Sequence, residues 1–239
     1  MPYLSVIIPA YNEAGRLPAT LREVCSYLSI HFPDTEVIVV DDGSRDKTVA
    51  VAETLALEFP MIRVISFGVN KGKGHAVKMG SLEAMGDLIL FMDADNSTPI
   101  SEITKLLLYS KDHEVVIGSR HLKASDVVIR QPWYRRFLSR SANLVIQLFL
   151  VRGVRDTQCG FKLFQREAAQ QLFSRQRIDR FGFDIEILVI AQRVLHYKIH
   201  EVPVSWYNST DSRVRPIRDA GRTLLELVRI YFTLLFRGY

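Results

Sequence analysis

The chain has 239 residues, 48% of them hydrophobic and 24% charged, which are ordinary globular proportions with enough length for one substantial core. Its net charge of +5 permits an anionic partner, whether a phosphate, a membrane surface or nucleic acid, and does not choose among them. Two cysteines, Cys25 and Cys159, lie far apart in no metal-ligand spacing, so a disulfide framework and a zinc site are disfavoured and a reducing compartment is expected.

The amino terminus, MPYLSVIIPAYNE, enters a strand pattern at once and lacks the basic region, apolar run and cleavage site of a signal peptide. From there the first half alternates short apolar runs with longer amphipathic stretches. The expected strand-helix pairs are 5–9 with 17–31, 36–40 with 46–59, 63–67 with 74–84 and 88–92 with 101–111, followed by a strand at 115–119. Such alternation means βαβ units and an α/β fold with a mostly parallel sheet. Runs such as VIIP, VIVV and LILFM are apolar at consecutive positions, as strands covered by helices on both faces require.

Polar groups fall at the carboxyl ends of these strands, where ligands bind on sheets of this kind. They are Tyr11-Asn12-Glu13, Asp41-Asp42-Gly43-Ser44, the NKGKG segment from Asn70 to Gly74, Asp93-Ala94-Asp95-Asn96, and Arg120. Five strand ends are thus expected to line one crevice.

Beyond Arg120 the pattern loosens. A basic helical segment over 130–151 is followed by an RDTQCGFKLF loop and strand, a helix over 184–195, a strand in IHEVPVSW and an arginine-bearing terminal helix. With neither an internal repeat nor a low-complexity linker, residues 1–239 read as a single domain in two parts, 1–120 carrying the strand-end crevice and 121–239 forming an acceptor-side region. The apolar run 141–151 is shorter than the roughly 18–20 residues that cross a bilayer, and 223–236 is interrupted by Glu226 and Arg229.

Asp93 and Asp95, two carboxylates flanking a small residue after a buried strand, can face one divalent ion if the backbone turns there. Hard oxygen ligands suit Mg²⁺ or Mn²⁺, which usually also hold substrate phosphates. A lone Asp-x-Asp is as readily a solvated turn or helix cap, so the neighbouring strand ends carry the weight. In VVDDGSRDKT, Ser44 or Asp46 can cap the next helix, while Asp42 can accept from a base imide or ribose hydroxyl. The NKGKG segment, with Lys73 at a helix start, supplies glycine-exposed amides and two lysines to a phosphate, without being a Walker motif; a lysine-rich solvated turn reads equally well.

Asp156 is a candidate for orienting a substrate or deprotonating an acceptor, or else the partner of Arg152 or Arg155; Asp184 is a second such carboxylate, or a helix-start acid. Arg130, Arg135, Arg136, Arg140 and Arg152 bracket an apolar stretch, and Arg213, Arg215, Arg218, Arg222, Arg229 and Arg237 line the terminal segment. Apolar helices with basic flanks suit a headgroup-level position on a membrane, or are core helices with solvated ends. Nucleic acid is disfavoured, because the basic residues neighbour aliphatic runs rather than aromatics that stack bases.

SVIIPAYNE, EVIVVDDGSRDKT, NKGKG, FMDADN and GSR occur in the order and spacing of glycosyltransferase family 2, and the chain resembles that family over nearly its whole length. RDTQCGFKLF, FDIEIL and EVPVSW are similar to its polyprenyl-phosphate branch, closest to the dolichyl-phosphate β-glucosyltransferases. The resemblance implies a GT-A fold with terminal amphipathic helices, and a nucleoside held by Pro9, Ala10, Tyr11, Glu13 and Asp42. It further implies a diphosphate and Mg²⁺ or Mn²⁺ at Asp93, Ala94 and Asp95, with Arg120, Arg135, Ser139 and Arg213 near donor or acceptor phosphates. Relatives often carry a further arginine where this chain has Tyr207-Asn208-Ser209, which leaves closure of the terminal loop over the donor open. Together these imply inverting, metal-dependent transfer of glucose from UDP-glucose to a polyprenyl or dolichyl monophosphate, with Asp95, Asp156 and Arg120 as the catalytic candidates. The enzyme would sit on the cytoplasmic face of a membrane, peripheral or monotopic. Transfer of mannose from GDP-mannose, and a metal- and nucleotide-binding membrane adaptor without turnover, remain as alternatives.

Overall fold

The structure, a computed structural model, describes residues 2–125, 146–147, 149–207 and 216–239, the side chains at 216–221 and 237 excepted. Arg135, Ser139 and Arg213, three of the four expected acceptor-phosphate contacts, lie outside the described residues, as does most of the segment 130–151.

Seven strands form one sheet in the order β3-β2-β1-β4-β6-β5-β7. They are β1 Leu4–Ala10, β2 Thr35–Asp41, β3 Ile62–Ser66, β4 Leu88–Met92, β5 Val115–Ser119, β6 Phe161–Gln165 and β7 Ile199–Pro203. Among the described strands only β6 runs antiparallel to its neighbours, β4 and β5. Among the described residues the bounded α-helices are α1 Leu17–His31, α2 Thr48–Glu58, α3 Lys73–Glu83, α4 Ile103–Leu107, α5 Arg166–Arg175, α6 Phe183–Val189 and α7 Pro216–Phe232. The parallel α/β architecture expected from the alternation is present.

Strand alternation divides the interior into two cores, one on each face of the sheet. Val6, Ile8, Val37, Val39, Leu90 and Met92 face α1, α2 and α4. Ile7, Ile38, Val40, Ile89 and Phe91 face α3, α5 and α6. Because both faces are covered, the strands need apolar residues at every position, and β1, β4 and β5 are buried throughout.

Three local expectations change. The helix expected over 101–111 contracts to a 3₁₀ turn, Ile100–Glu102, and the five residues of α4. Its continuation closes in tight turns, with Tyr109 N donating to Leu106 O and Ser110 N to Leu107 O. The helix expected over 184–195 divides into α6 and a π-helical turn, Ile190–Val194. Most consequential is the placing of β6 between β4 and β5, so that the five expected strand ends are not one uninterrupted row.

Candidate active site

The antiparallel course of β6 builds the centre of the site. Met92, the last residue of β4, pairs with Phe161, the first of β6. Residues just after β4 therefore lie against residues just before β6, and Asp93 N donates to Gly160 O at 3.1 Å. On the far side β5 runs parallel to β7 with Ser119 opposite Pro203, which sets Arg120 near the segment that carries Trp206. The result is a polar cavity lined by Asp93, Asp95, Ser97, Thr98, Arg120, Gln158, Gly160 and Trp206.

The Asp93-Ala94-Asp95 turn is held from three directions. Thr20 Oγ1, on α1, donates to Ala94 O at 2.8 Å. Ser97 N donates to Asp95 Oδ1 at 3.0 Å, and Tyr207 N donates to Ser97 O at 2.8 Å. Asn96 adopts φ +51°, a left-handed conformation that asparagine tolerates and that turns the chain back after the pair. Burial, and then the charge of Asp93, push the Asp95 carboxyl above its ordinary range.

Those carboxylates can hold Mg²⁺ or Mn²⁺. They offer hard oxygens at the edge of an open cavity, and Asp93 already draws a cation, since Lys73 Nζ stands 2.6 Å from its Oδ1. Among the described residues no group of three or more His, Cys, Asp and Glu gathers at a metal position. A pair fits an ion that takes one or two carboxylates and completes its shell with substrate phosphates and water. Lys73 is held above the ordinary lysine range: burial alone would lower it, but Asp93 and Asp184 outweigh that.

Arg120 also lines the cavity, and Asp156 is buried behind it. Asp156 Oδ2 accepts from Arg120 N at 2.9 Å and Nε at 2.8 Å, and Oδ1 accepts from Nη2 at 2.8 Å. The sequence suggested Arg152 or Arg155 as the ionic partner; the structure gives Arg120 instead, because β5 and the loop before β6 deliver the two side chains to one point. Asp156 is 1% exposed and Arg120 24%. Although burial alone would raise it, the guanidinium holds the Asp156 carboxyl far below its usual range. With both oxygens engaged, Asp156 is arranged to position Arg120 rather than to deprotonate an acceptor. The guanidinium also lies 5.5 Å from the centre of the Trp206 ring, fixed from a second side, with its remaining N–H groups available to an anion.

The residues expected at the nucleoside gather at the ends of β1 and β2. Pro9 and Ala10 are buried in the last turn of β1, Asp42 N donates to Ala10 O at 2.9 Å, and Tyr11 is 37% exposed. The Asp42 carboxylate accepts from Lys71 N at 2.9 Å and Gly72 N at 2.7 Å, and so orders the NKGKG loop from beneath. Burial raises this carboxyl above its ordinary range. Its neighbour Asp41 instead accepts from Ser44 N and Ser66 Oγ. Gly43 is required at the turn: it has φ +71°, and a Cβ there would fall 2.8 Å from Asn70 N. Glu13 is taken by Arg16, at 2.7 and 2.6 Å, with Glu13 N donating to Thr48 Oγ1. Of the two expected caps, Asp46 accepts from Thr48 N at 3.0 Å at the start of α2, while Ser44 Oγ accepts from Asn12 N.

Contributors not singled out from the residues alone are Ser97, Thr98, Gln158, Gly160 and Trp206 at the cavity, and Lys162 beneath it. Lys162 is fully buried on β6, donating to Asp184 Oδ1 at 2.5 Å and Cys159 O at 2.6 Å. A lysine inside a strand otherwise reading FKLF was the available signal, since so apolar a run places it on a buried face.

Residues 5–173 match the model of the family "Glycosyl transferase family 2". A dolichyl-phosphate beta-glucosyltransferase of Trichomonas vaginalis is 39% identical over 95% of this chain and 70% of that protein. Those of Homo sapiens and Saccharomyces cerevisiae are 36% and 34% identical, over 96% and 99% of this chain and 76% of each relative. Among solved structures, mannosyl-3-phosphoglycerate synthase from Rubrobacter xylanophilus superposes with a TM-score of 0.73 at 20% identity, covering 95% of this chain and 72% of that one. Glucosyl-3-phosphoglycerate synthase from Mycobacterium tuberculosis, in complex with Mn²⁺ and UDP-glucose, gives 0.71 at 20% identity over 98% and 79%. At such identities these two speak for the fold alone, and that fold is GT-A.

Proposed function

The chain belongs to glycosyltransferase family 2, and from that premise we propose that it transfers glucose from UDP-glucose to a polyprenyl or dolichyl monophosphate, with inversion at the anomeric carbon. The observation that carries this reading is one cavity lined by both a carboxylate pair and a positioned arginine. The carboxylates suit a diphosphate with its cation, and the arginine suits a second phosphate. The likeness to dolichyl-phosphate beta-glucosyltransferases supports glucose and the lipid phosphate.

Pro9, Ala10, Tyr11, Glu13 and Asp42 would hold the nucleoside, and Lys73 would stand at the diphosphate. Mg²⁺ or Mn²⁺ on Asp95 and Asp93 would supply Lewis-acid stabilisation of the departing nucleoside diphosphate. A phosphomonoester is largely ionised near neutral pH, so the acceptor oxygen attacks without a strong general base. Arg120 neutralises that phosphate and holds it in line with the scissile bond, while Asp156 keeps the guanidinium from swinging away. Arg135, Ser139 and Arg213 are proposed to complete the phosphate contacts.

The decisive experiment incubates the purified protein with Mg²⁺ or Mn²⁺, polyprenyl phosphate and radiolabelled UDP-glucose or GDP-mannose. Label is expected in the lipid phase from UDP-glucose, at least about tenfold above GDP-mannose, since a few hydroxyl contacts discriminate by about that factor or more. Transfer from GDP-mannose alone would replace glucose with mannose, and no transfer from any donor would leave a binding protein.

Among the described residues no helix is long and apolar enough to cross a membrane. Instead α7 and the turn after it expose Leu224, Leu225, Val228, Phe232, Leu235 and Phe236, with Arg222 and Arg229 also exposed. This apolar face with cations beside it suits the interface of a bilayer, and we place the enzyme there, at the cytoplasmic face. Both cysteines are free and buried, in keeping with a reducing compartment. Leu225→Glu combined with Phe236→Glu is expected to reduce co-sedimentation with anionic phospholipid vesicles by about tenfold or more, given some 2.5–3.5 kcal/mol for a charge carried into hydrocarbon. Equal binding by the double variant would remove α7 from the membrane surface.

A further inference from the structure

We propose that Lys73 is the resident counter-ion of Asp93, and that it makes the binding of a divalent cation and of the donor diphosphate mutually dependent. The inference rests on reading Asp93 and Asp95 as metal ligands. Lys73 Nζ lies 2.6 Å from Asp93 Oδ1, on an oxygen that a cation would have to take. An ammonium and a divalent ion cannot share that oxygen, because two cations a few ångströms apart in a partly buried site repel by several kcal/mol at an effective dielectric of about 20.

The backbone beneath Lys73 is fixed, so any exchange falls to the side chain. Lys73 is the first residue of α3. Gly72 N is held by Asp42 Oδ2 at 2.7 Å, and His75 N donates to Asp179 O at 3.0 Å. A Cβ on Gly74 would fall 2.7 Å from Ile178 O, so the start of the helix is packed hard against that loop.

The second carboxylate in reach is already served. Asp184 Oδ1 receives Lys162 Nζ at 2.5 Å, and the two ammonium groups lie near the Phe91 ring at 5.1 Å for Lys73 and 5.9 Å for Lys162. Lys73 is thus left with Asp93 as its close anionic partner. When a cation takes Asp93, the displaced ammonium needs another anion, and the donor diphosphate supplies one. Each ligand lowers the cost of binding the other, and by linkage the effect is reciprocal.

The test is Mn²⁺ binding, followed by the electron paramagnetic resonance of the free ion, with and without UDP. Without UDP, Lys73→Gln is expected to bind Mn²⁺ about tenfold more tightly than the wild type, and the tightening produced by UDP is expected to shrink about tenfold. Lys73→Met, an unbranched and uncharged side chain, provides a second readout, and Lys73→Arg is expected to stay near the wild type. Asp95→Asn is expected to abolish binding in every background. Equal or weaker Mn²⁺ binding by both uncharged variants without UDP would overturn the counter-ion role while leaving the metal site intact. Absence of Mn²⁺ binding in the wild type itself would overturn the metal reading, and the counter-ion with it.

Discussion

Gly160→Ala is expected to lower glucosyl transfer by about a thousandfold in a chain that still folds. A Cβ at residue 160 would lie 2.0 Å from Asp93 Oδ2 and 2.4 Å from its Cγ, distances at which two atoms cannot coexist. The backbone at Gly160 is not in the left-handed region, so alanine meets no conformational penalty of its own. What must yield is the Asp93 carboxylate, which is 33% exposed and is expected to turn aside with loss of its contact to Lys73. Rotation spares the core but removes one of the two carboxylates facing the cavity. Losing a cation's contribution of about 4 kcal/mol corresponds to three powers of ten in rate. A radiochemical transfer assay beside thermal unfolding checks this: the rate should collapse while Tm moves by only a few degrees. An active Gly160→Ala enzyme with unchanged dependence on Mn²⁺ would contradict the placement of the cation on Asp93.

Asp156→Asn is expected to cost both stability and catalysis. Removing one partner of a buried ion pair leaves the other charge uncompensated, at about 3–5 kcal/mol. Asparagine offers one acceptor oxygen where Arg120 presents three donors to two oxygens, and its NH₂ group faces a donor. With the guanidinium no longer held in line, kcat/KM for the lipid phosphate should fall by about a hundredfold. The pH dependence separates this pair from a packing effect. The folded Asp156 carboxyl sits far below its unfolded value of 3.8 because of Arg120, so its stabilisation is fully present above that value and is lost as pH falls toward the folded one. Below about pH 3.8 the wild type should therefore lose about 1.4 kcal/mol per pH unit from this group alone, a loss absent from Asp156→Asn. Urea unfolding of both proteins at pH 7 and pH 3 measures it, and an equal pH response in the two would refute the assignment.

Much of this protein was legible in its residues because the information is local. The apolar runs of β1, β2 and β4 announce strands covered on both sides, and the polar clusters that follow them mark the ligand-bearing edge. Asp93, Asp95, Asp42 and Arg120 were found in that way, and the structure places each at a strand end. Shorter elements were misjudged where local pattern was ambiguous: the amphipathic stretch after residue 100 yields only one short helix, because i→i−3 bonds close it early.

Which strand lies beside which is decided by contacts between distant segments. Nothing in RDTQCGFKLF states that its strand enters between β4 and β5 in the opposite direction, yet that insertion sets Gly160 against Asp93 and carries Asp156 to Arg120, 36 residues away in the chain. The same holds for Lys73, whose sequence context offers a phosphate and whose position offers it first to a carboxylate. The sequence by itself determined the α/β class and the carboxylate turn, through periodicity and spacing that a single segment can carry, and its motifs carried the resemblance to the family. Only the tertiary structure decided how the charges are paired, because burial makes each ionic group depend on the nearest opposite charge, and pairing of strands far apart in the chain chooses that neighbour.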